Sequence, residues 1–510
     1  MIQKLVTPKS IFVLFLLLHI FLLNINAAEW GDSYRILRAS EYIRAFSYPE
    51  DEKRQPLYSA ALALYPNGAD QVLSGRITMF LVSVVTFFVF YKLLLELRLS
   101  SRTTVVALLL FTVNPVFLYW SIRLMADVFF ALIALIALYF YVRYKNTPKL
   151  VFLALCGVFC GLAVLTRFEG YILGFCIGIA LLFEAFIKKD FRFFMQKLFA
   201  FGLPALLIML PWLYFRNPLT SSYFEEPSSR TYDLTTFAIY LASVAYLFGF
   251  VFGLFFLLNA KSAIISFGKK YPAPALFIFF ELLLALIWPA AIPRLFTPII
   301  VFLCIFAAQG IDYYFSNSQK FSILNALFML GLLILYPVVQ LLFRLQFLVL
   351  IKPLLIVTFA IQLVIGFAIY RRRFSGFLFS LLISGLVWSI ATIYLHKDIF
   401  RVIRDANIYI VQNLTGVVAY NDVSSVSDWY LNQRTKGDAV SGLYLNMDDK
   451  KGRSYDNLFK QGVNYVVITN EHNSNLEFNV SELSYLSPVR EFSYTVAGTK
   501  FFTKVARFNP

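Results

Sequence analysis

Residues 103–142 read TTVVALLLFTVNPVFLYWSIRLMADVFFALIALIALYFYV. Two apolar runs flank a short polar turn that contains Arg123 and Asp127. A helix needs roughly 20 predominantly apolar residues to cross a bilayer, and each run is close to that length. The stretch therefore predicts two membrane-spanning helices joined by a tight turn.

The composition of the whole chain extends this prediction. The protein has 510 residues, of which 59% are hydrophobic and 15% charged, and its mean hydropathy is +0.71. Soluble proteins average about 45–50% apolar and about 25% charged residues, so a soluble enzyme, a disordered protein and a disulfide-stapled secreted module are excluded. The net charge of +16 comes from short basic clusters between apolar runs, so we expect no nucleic-acid partner.

About 13 apolar runs are long enough to span a membrane. The first, at 11–28, is interpreted as a signal anchor whose N-terminus lies in the cytoplasm. The others are predicted near 72–95, 103–121, 124–142, 149–166, 171–187, 198–215, 236–258, 273–290, 294–312, 322–342, 346–370 and 375–395. With this orientation every basic connecting cluster lies inside, as the positive-inside rule requires, and the odd count places the C-terminus outside.

Two polar stretches lie outside these spans. A transmembrane domain is predicted over 1–396, with a first external loop at 29–71, and an extracytoplasmic α/β domain over 397–510. In the latter, the strand-like runs Gly416–Tyr420 and Tyr465–Thr469 alternate with helical segments near 426–433 and 454–461. The predicted fold is a polytopic α-helical membrane protein with a small α/β domain.

Charged residues near the predicted outer ends of the helices indicate a binding function. Lysine and arginine are normally depleted at that face, so arginines there indicate an anion held by guanidinium groups. The arginines concerned are Arg54, Arg76, Arg123, Arg167 and Arg294, and the neighbouring acidic residues are Asp32, Asp127 and Glu169.

Several motifs on this face resemble those of one enzyme class. They are Gly31-Asp32-Ser33-Tyr34, Arg54-Gln-Pro-Leu-Tyr58, Asn114-Pro115, Met125-Ala-Asp127, Gly161-Leu-Ala-Val-Leu-Thr-Arg167 and Ile292-Pro-Arg294-Leu-Phe-Thr-Pro298. Their order is similar to that in the GT-C superfamily of membrane glycosyltransferases. The resemblance is to glycosyltransferase family 39, which includes protein O-mannosyltransferases and the lipid A aminoarabinose transferase. Ser33 departs from the pattern, because many relatives carry a second acid there.

The resemblance implies an inverting transfer of a sugar from a polyprenyl-phosphate donor to an acceptor hydroxyl at the outer face. One carboxylate suffices as general base, and we assign that role to Asp32. Binding of the lipid phosphate is assigned to Arg54 and Arg294, with Arg123 and Arg167 as further candidates. Binding of sugar or acceptor is assigned to Tyr34, Tyr58, Asp127 and Glu169. No cofactor is expected; a divalent metal is possible but not supported, because convergent carboxylates are lacking.

Each assignment has a structural alternative. Asp32 could cap a helix that starts near Ser33. Asp127 could form a bridge with Arg123, and Arg167 and Glu169 could each pair elsewhere or cap a helix. Tyr34 and Tyr58 could belong to the aromatic belts at the membrane surface.

Other functions compete with the transferase. A transporter or lipid flippase is the main alternative, although it should show repeated halves and ionisable groups at mid-membrane, which the sequence lacks. A scaffold protein would leave the outer arginines unexplained. The expected partners of the transferase are a polyprenyl-phosphate-linked sugar, an acceptor protein, lipid or glycan, and membrane lipid. The plasma membrane of a prokaryote is favoured over the endoplasmic reticulum.

Overall fold

The computed structural model describes residues 6–66, 70–189, 191–216, 233–234, 236–237, 264–288, 293–316, 374–422, 425–433, 439–447, 449–471, 480–496 and 499–510. The predicted spans near 236–258, 322–342 and 346–370 fall almost wholly outside these residues. The chain divides into two compact units. The membrane unit comprises Met1–Leu23, Lys53–Tyr58 and Gly75–Ile393, and the sheet unit comprises Asn24–Glu52, Ser59–Ser74 and Tyr394–Pro510.

The long helices follow the apolar runs of the sequence, and more polar helices lie between and after them. In chain order they are α1 (Pro8–Leu22), α2 (Gly31–Arg44), α3 (Leu57–Ala63), α4 (Gln71–Glu96), α5 (Ser101–Thr112), α6 (Pro115–Ser121), α7 (Ala126–Asn146), α8 (Leu150–Val164), α9 (Glu169–Lys188), α10 (Phe191–Phe215), α11 (Pro272–Ile287), a 3-10 helix (Pro293–Ile299), α12 (Ile300–Ser316), α13 (Phe374–His396), α14 (Arg401–Asn413), α15 (Val426–Asp428), which continues as a π-helix (Trp429–Gln433), and α16 (Tyr455–Lys460).

Six helices in the described part of the chain are long and apolar enough to cross a membrane, and a bent pair makes up to seven. The six begin at Gln71, Ala126, Glu169, Phe194, Pro293 and Phe374. Three shorter apolar helices are α1, α8 and α11. The chain is therefore a polytopic helical membrane protein.

The bent pair corrects one predicted span. The sequence predicts a single helix over 103–121, but α5 ends at Thr112 and α6 begins at Pro115, with a bend of 53°. Proline lacks an amide donor and disfavours a helical conformation at the preceding residue. The Asn114 side chain accepts hydrogen bonds from the amides of Val116 and Phe117, at 3.0 and 2.9 Å, and so caps α6. Ser389 donates to the Val113 carbonyl at 2.9 Å, so a backbone acceptor at the break remains satisfied.

Small residues bring α8 and α10 together. A Cβ on Gly157 would lie 2.0 Å from the Phe201 carbonyl oxygen, and one on Gly161 would lie 2.8 Å from that of Ala205. Such close backbone approach through glycine is typical of packed membrane helices. This packing fixes the position of the C-terminal end of α8. The chain then turns through Arg167 into α9.

The sheet unit contains one five-stranded mixed sheet. Its strands lie in the order β2-β1-β3-β5-β4. The inner strand β1 pairs in parallel with β2 and β3, whereas β5 pairs antiparallel with β3 and β4. The strands are β1 (Gly416–Tyr420), β2 (Val440–Tyr444), β3 (Val463–Thr469), β4 (Leu486–Val496) and β5 (Thr499–Phe508). The bounds of β1 are those that the sequence predicts.

Alternating side chains bury both faces of this sheet. Val466 and Ile468 of β3 pack with Leu458 of α16 in one apolar cluster. Val467, between them in the strand, packs with Ile410 of α14 in the other cluster. This two-sided alternation requires helices on both faces, which is the arrangement of an α/β domain.

Residues 24–52 belong to the sheet unit, whereas the sequence analysis placed 29–71 with the transmembrane domain. The Trp30 and Phe400 rings meet edge to face with centroids 5.5 Å apart. The Ala27 amide donates to the Lys397 carbonyl at 2.7 Å. The first polar segment and the C-terminal residues thus share one core.

Candidate active site

A buried ionic cluster occupies the turn between α8 and α9 in the membrane unit. Arg167 donates from Nη1 to Asp127 Oδ1 at 2.7 Å and from Nε to Glu169 Oε1 at 2.9 Å. Asp127 lies in the first turn of α7, and Glu169 is the first residue of α9. Carboxylates are favourable at helix N-termini because the helix dipole is positive there. One guanidinium therefore ties together the starts of two helices.

Arg294 adds a second guanidinium to Asp127. It belongs to the 3-10 helix, and its Nε lies 3.9 Å from Asp127 Oδ1. Its Nη1 lies 3.7 Å from the Met125 sulfur, and its Cζ lies 5.7 Å from the centroid of the Trp120 ring. The distance to Asp127 exceeds hydrogen-bond length, so Arg294 interacts with that carboxylate by charge alone. We name Asp127, Arg167, Glu169 and Arg294 the Asp127 cluster.

Arg123 does not join Asp127. Its side chain is fully buried, at 0% exposure, and its Cζ lies 4.7 Å from the centroid of the Tyr119 ring. The alternative in which Asp127 bridges to Arg123 is wrong, because the ion pairs of Asp127 in the described residues are with Arg167 and Arg294. Residues 123–125 are not helical and α7 begins only at Ala126, so the i, i+4 spacing does not bring the two side chains together.

Arg167 does pair elsewhere, with Asp127, but Arg167 and Glu169 are not independent of each other. They pair with each other, although they are only two residues apart. Arg167 lies in the turn before α9, which lets its side chain reach the carboxylate at the start of the helix.

The sequence analysis missed Glu281. This carboxylate lies in α11, is 2% exposed, and is within electrostatic reach of Glu169 and Arg167. Its Oε1 accepts no hydrogen bond from the described residues. The signal was present, because Glu281 is a lone acid in the apolar run PAPALFIFFELLLALI, and intramembrane ionisable residues are usually functional.

The segment that contains Arg54 and Tyr58 reaches the same turn. The Leu57 amide donates to the Leu165 carbonyl at 2.8 Å, two residues before Arg167. The Tyr58 ring lies 5.2 Å from the ring of Phe129, two residues after Asp127. Tyr58 is buried in protein and Arg54 is half-buried. The aromatic-belt alternative is therefore wrong for Tyr58.

Asp32 and Tyr34 belong to the sheet unit. The helix α2 begins at Gly31 with Trp30 at the N-cap position, so Asp32 is its second residue and not the cap of a helix starting at Ser33. Tyr34 is buried, with its ring centroid 6.2 Å from those of Trp429 and Tyr430. Its hydroxyl accepts a hydrogen bond from the Glu29 amide at 3.2 Å, so Tyr34 is a core residue rather than a belt residue.

Metal ligands do not converge in the part of the chain that the structure describes. No group of three or more His, Cys, Asp and Glu side chains there has the spacing to hold an ion. In the Asp127 cluster, the guanidinium of Arg167 lies between Asp127 and Glu169 instead.

Comparison with known proteins identifies the fold. A family model described as dolichyl-phosphate-mannose-protein mannosyltransferase matches residues 57–215. The crystal structure of ArnT from Cupriavidus metallidurans bound to undecaprenyl phosphate is 15% identical, with 97% of each chain covered and a TM-score of 0.62. The oligosaccharyltransferase of Archaeoglobus fulgidus, in its apo form, is 13% identical with a TM-score of 0.57, covering 91% of this chain and 70% of that one. No curated protein matches the sequence significantly.

These similarities define a polytopic membrane protein with the GT-C fold. The resemblance that the sequence motifs indicate, to the GT-C glycosyltransferases and to the protein mannosyltransferase type among them, is confirmed. The matched segment 57–215 contains Asp127, Arg167 and Glu169.

Proposed function

We propose that this protein is an inverting glycosyltransferase that moves a sugar from a polyprenyl-phosphate donor to an acceptor hydroxyl at the outer face of a membrane. The acceptor is a protein, a lipid or a glycan. The plasma membrane of a prokaryote is the proposed location.

The observation that carries this proposal is the Asp127 cluster within a GT-C fold. Two guanidinium groups converge on one carboxylate in the interior of a membrane unit. The ArnT structure of the same fold is bound to undecaprenyl phosphate, and the matching family is described by a dolichyl-phosphate sugar. Both are polyprenyl phosphates, which is the class of donor that we assign to this chain.

The reaction is a single displacement at the anomeric carbon of the sugar. The acceptor hydroxyl transfers its proton to the Asp32 carboxylate while its oxygen bonds to that carbon. The bond from the carbon to the phosphate oxygen breaks, and the electron pair leaves on the lipid phosphate. A lipid phosphate is a better leaving group than an alkoxide, so one base and no general acid are needed.

The arginines take separate roles in this proposal. Arg294 binds the lipid phosphate, because its guanidinium carries fixed positive charge in a planar form that suits phosphate oxygens. Arg54 and Arg123 are the further phosphate ligands. Arg167 donates to both Asp127 and Glu169 at short distance, so its role is to position these two carboxylates.

Binding of the sugar or acceptor falls to Asp127 and Glu169, which accept hydrogen bonds from hydroxyl groups. Tyr34 and Tyr58 are the further residues proposed for this binding, and both side chains are held in place by burial. Discrimination among sugars by such buried polar groups is strong, because a hydroxyl that is missing from the sugar leaves a carboxylate unsatisfied.

The test uses the full chain in nanodiscs with a panel of polyprenyl-phosphate sugars, each offered with a peptide, a lipid or a glycan as hydroxyl acceptor. Release of free polyprenyl phosphate is measured for the wild type and for Asp32→Asn. We expect release from one donor and a loss of roughly 10²–10⁴-fold in the variant, which is the usual contribution of a general base.

Asp456→Asn is the matched control. Asp456 is also the second residue of a helix in the sheet unit, so this variant loses the same helix-terminal charge without touching the proposed base. Equal loss in both variants, or full release by Asp32→Asn, would remove Asp32 from the mechanism. Absence of release from every donor, together with passage of a donor across sealed vesicles, would favour a flippase.

A further inference from the structure

A groove lies between α4 and α7 of the membrane unit, at the ends of these helices where lysine and arginine accumulate. It has a volume of about 560 Å³, which is within the range of ligand-binding clefts. Apolar side chains form its walls, and charged side chains lie toward the helix ends. The wall residues that matter here are Phe88, Val89, Ile136, Phe140 and Phe159.

Two cations line the groove without an acidic partner. None of the carboxylates in the described ranges lies within ion-pair distance of Lys92 or Arg143. Arg143 donates to the Tyr139 hydroxyl at 2.6 Å and packs its Cζ 4.8 Å from the Phe152 ring centroid. Its guanidinium is therefore held in place by neutral groups, with no ion pair to a carboxylate in the described part of the chain.

One acid, Glu96, also lines the groove, so with Lys92 and Arg143 the lining carries a net charge of +1. Glu96 Oε1 and the Glu96 carbonyl both accept hydrogen bonds from the Asn146 amide, at 3.0 and 2.8 Å. In contrast, Lys145, which comes two residues after Arg143 in α7, pairs with Glu184 at 3.2 Å. Two neighbouring cations of α7 therefore differ, since Lys145 pairs with a carboxylate and Arg143 contacts neutral groups.

We propose that the groove binds one anionic phospholipid of the bilayer. The phosphate lies between Lys92 and Arg143, and an acyl chain runs along Phe88, Phe140 and Phe159. The two cations outnumber the one acid and so favour an anionic headgroup, and each contributes about tenfold or less at a membrane surface. The apolar walls favour a ligand with a hydrocarbon tail over a soluble anion. The site is separate from the transferase mechanism.

Native mass spectrometry of the full chain in detergent tests this proposal. The protein is titrated with a phosphatidylglycerol and with a phosphatidylcholine of the same acyl chains. We expect one phosphatidylglycerol to bind per chain with a preference on the order of tenfold, and Lys92→Gln with Arg143→Gln to abolish that preference.

The matched control is Lys188→Gln with Lys189→Gln, which removes the same charge outside the groove. It should keep the preference. Ile136→Trp tests the walls, because an indole fills the groove and should weaken binding of both lipids. The melting temperature of each variant shows whether it is folded.

Three results would overturn the proposal. They are equal binding of the two lipids by the wild type, equal loss of preference in groove and control variants, and unchanged binding by folded Ile136→Trp. Stronger retention of a polyprenyl phosphate than of phosphatidylglycerol would make the groove a site for carrier lipid instead.

Discussion

The two ends of α9 hold carboxylates among different cations, a buried pair at the first turn and the half-buried Glu184 near the last. At the first turn, Glu169 and Asp127 share Arg167, with Arg294 3.9 Å from Asp127. Near the last turn, Glu184 contacts three lysines, at distances of 2.8–3.2 Å. These lysines are Lys145, Lys188 and Lys197. Acidic groups match or outnumber the arginines at one end, whereas lysines outnumber the acid at the other.

The two ends of α9 therefore have different explanations: membrane topology accounts for the lysines, and ligand binding accounts for the arginines. Excess lysine at one membrane face is what the positive-inside rule predicts, and Glu184 reduces the repulsion between these cations. The guanidinium group of arginine is planar and can donate two hydrogen bonds to one carboxylate or phosphate, and it stays charged when buried. The lysine end should therefore govern stability, and the arginine end should govern activity.

The largest expected effect on stability lies at the lysine end. Glu184→Gln leaves three cations close together, one of them the buried Lys197, so we expect a loss of about 3 kcal/mol in the free energy of unfolding. Thermal unfolding in nanodiscs measures this loss. Turnover of the variant that remains folded should stay near that of the wild type. If Glu184→Gln were as stable as the wild type but turned over slowly, the lysine end would govern activity, which would contradict the comparison.

A carboxylate of the sheet unit extends the comparison to a site without basic partners. Glu471 Oε1 accepts hydrogen bonds from the Tyr494 hydroxyl at 2.6 Å and the Phe400 amide at 2.5 Å. Burial raises the pKa of Glu471 to about 7, and the charges of Asp422 and Asp398 act in the same direction.

This raised pKa makes the stability of the sheet unit dependent on pH. The folded state binds the proton more tightly than the unfolded state, whose pKa is near 4.5. The stabilisation is therefore full below that pH and is lost as the pH rises through about 7, by roughly 3 kcal/mol. Tryptophan fluorescence during thermal unfolding at several pH values measures it. Glu471→Gln should remove the dependence, whereas Glu491→Gln, at the exposed pair with Lys500, should retain it.

A smaller effect on stability is expected at the arginine end. In Asp127→Asn, Arg167 keeps its hydrogen bonds to Glu169, so the loss in the free energy of unfolding should be about 1 kcal/mol. Turnover should fall far more than this loss explains. Parallel measurement of melting temperature and polyprenyl phosphate release checks both parts. A loss of stability as large as that of Glu184→Gln would show that the cluster is structural.

The sequence predicted individual helices well because each apolar run contains its own signal. The run near 124–142 becomes α7, Ala126–Asn146, and the run near 171–187 becomes α9, Glu169–Lys188. The break at Asn114-Pro115 could also have been predicted, since proline disfavours helical geometry at the residue before it. In the sequence analysis, Asn114-Pro115 supports the family resemblance and is not used to predict a break in the helix.

Pairing within the cluster could not be predicted in the same way. Asp127 and Arg167 are 40 positions apart, so their contact depends on how α7, α8 and α9 pack. Sequence proximity favoured Arg123 for Asp127, and packing placed Arg123 over Tyr119 instead. Glu281 was missed because the rotation of α11, which decides whether its carboxylate faces lipid or protein, is set by neighbouring helices.

The most direct test of the account compares one cation from each end of α9. Release of polyprenyl phosphate is measured in nanodiscs for Arg294→Gln and Lys197→Gln, at equal amounts of folded protein. We expect Arg294→Gln to lower turnover by roughly 10²-fold, as for loss of one preorganised donor to a developing anion, and Lys197→Gln to stay within about twofold of the wild type. Equal losses in the two variants, or unchanged turnover in Arg294→Gln, would contradict the assignment of the chemistry to the arginine end.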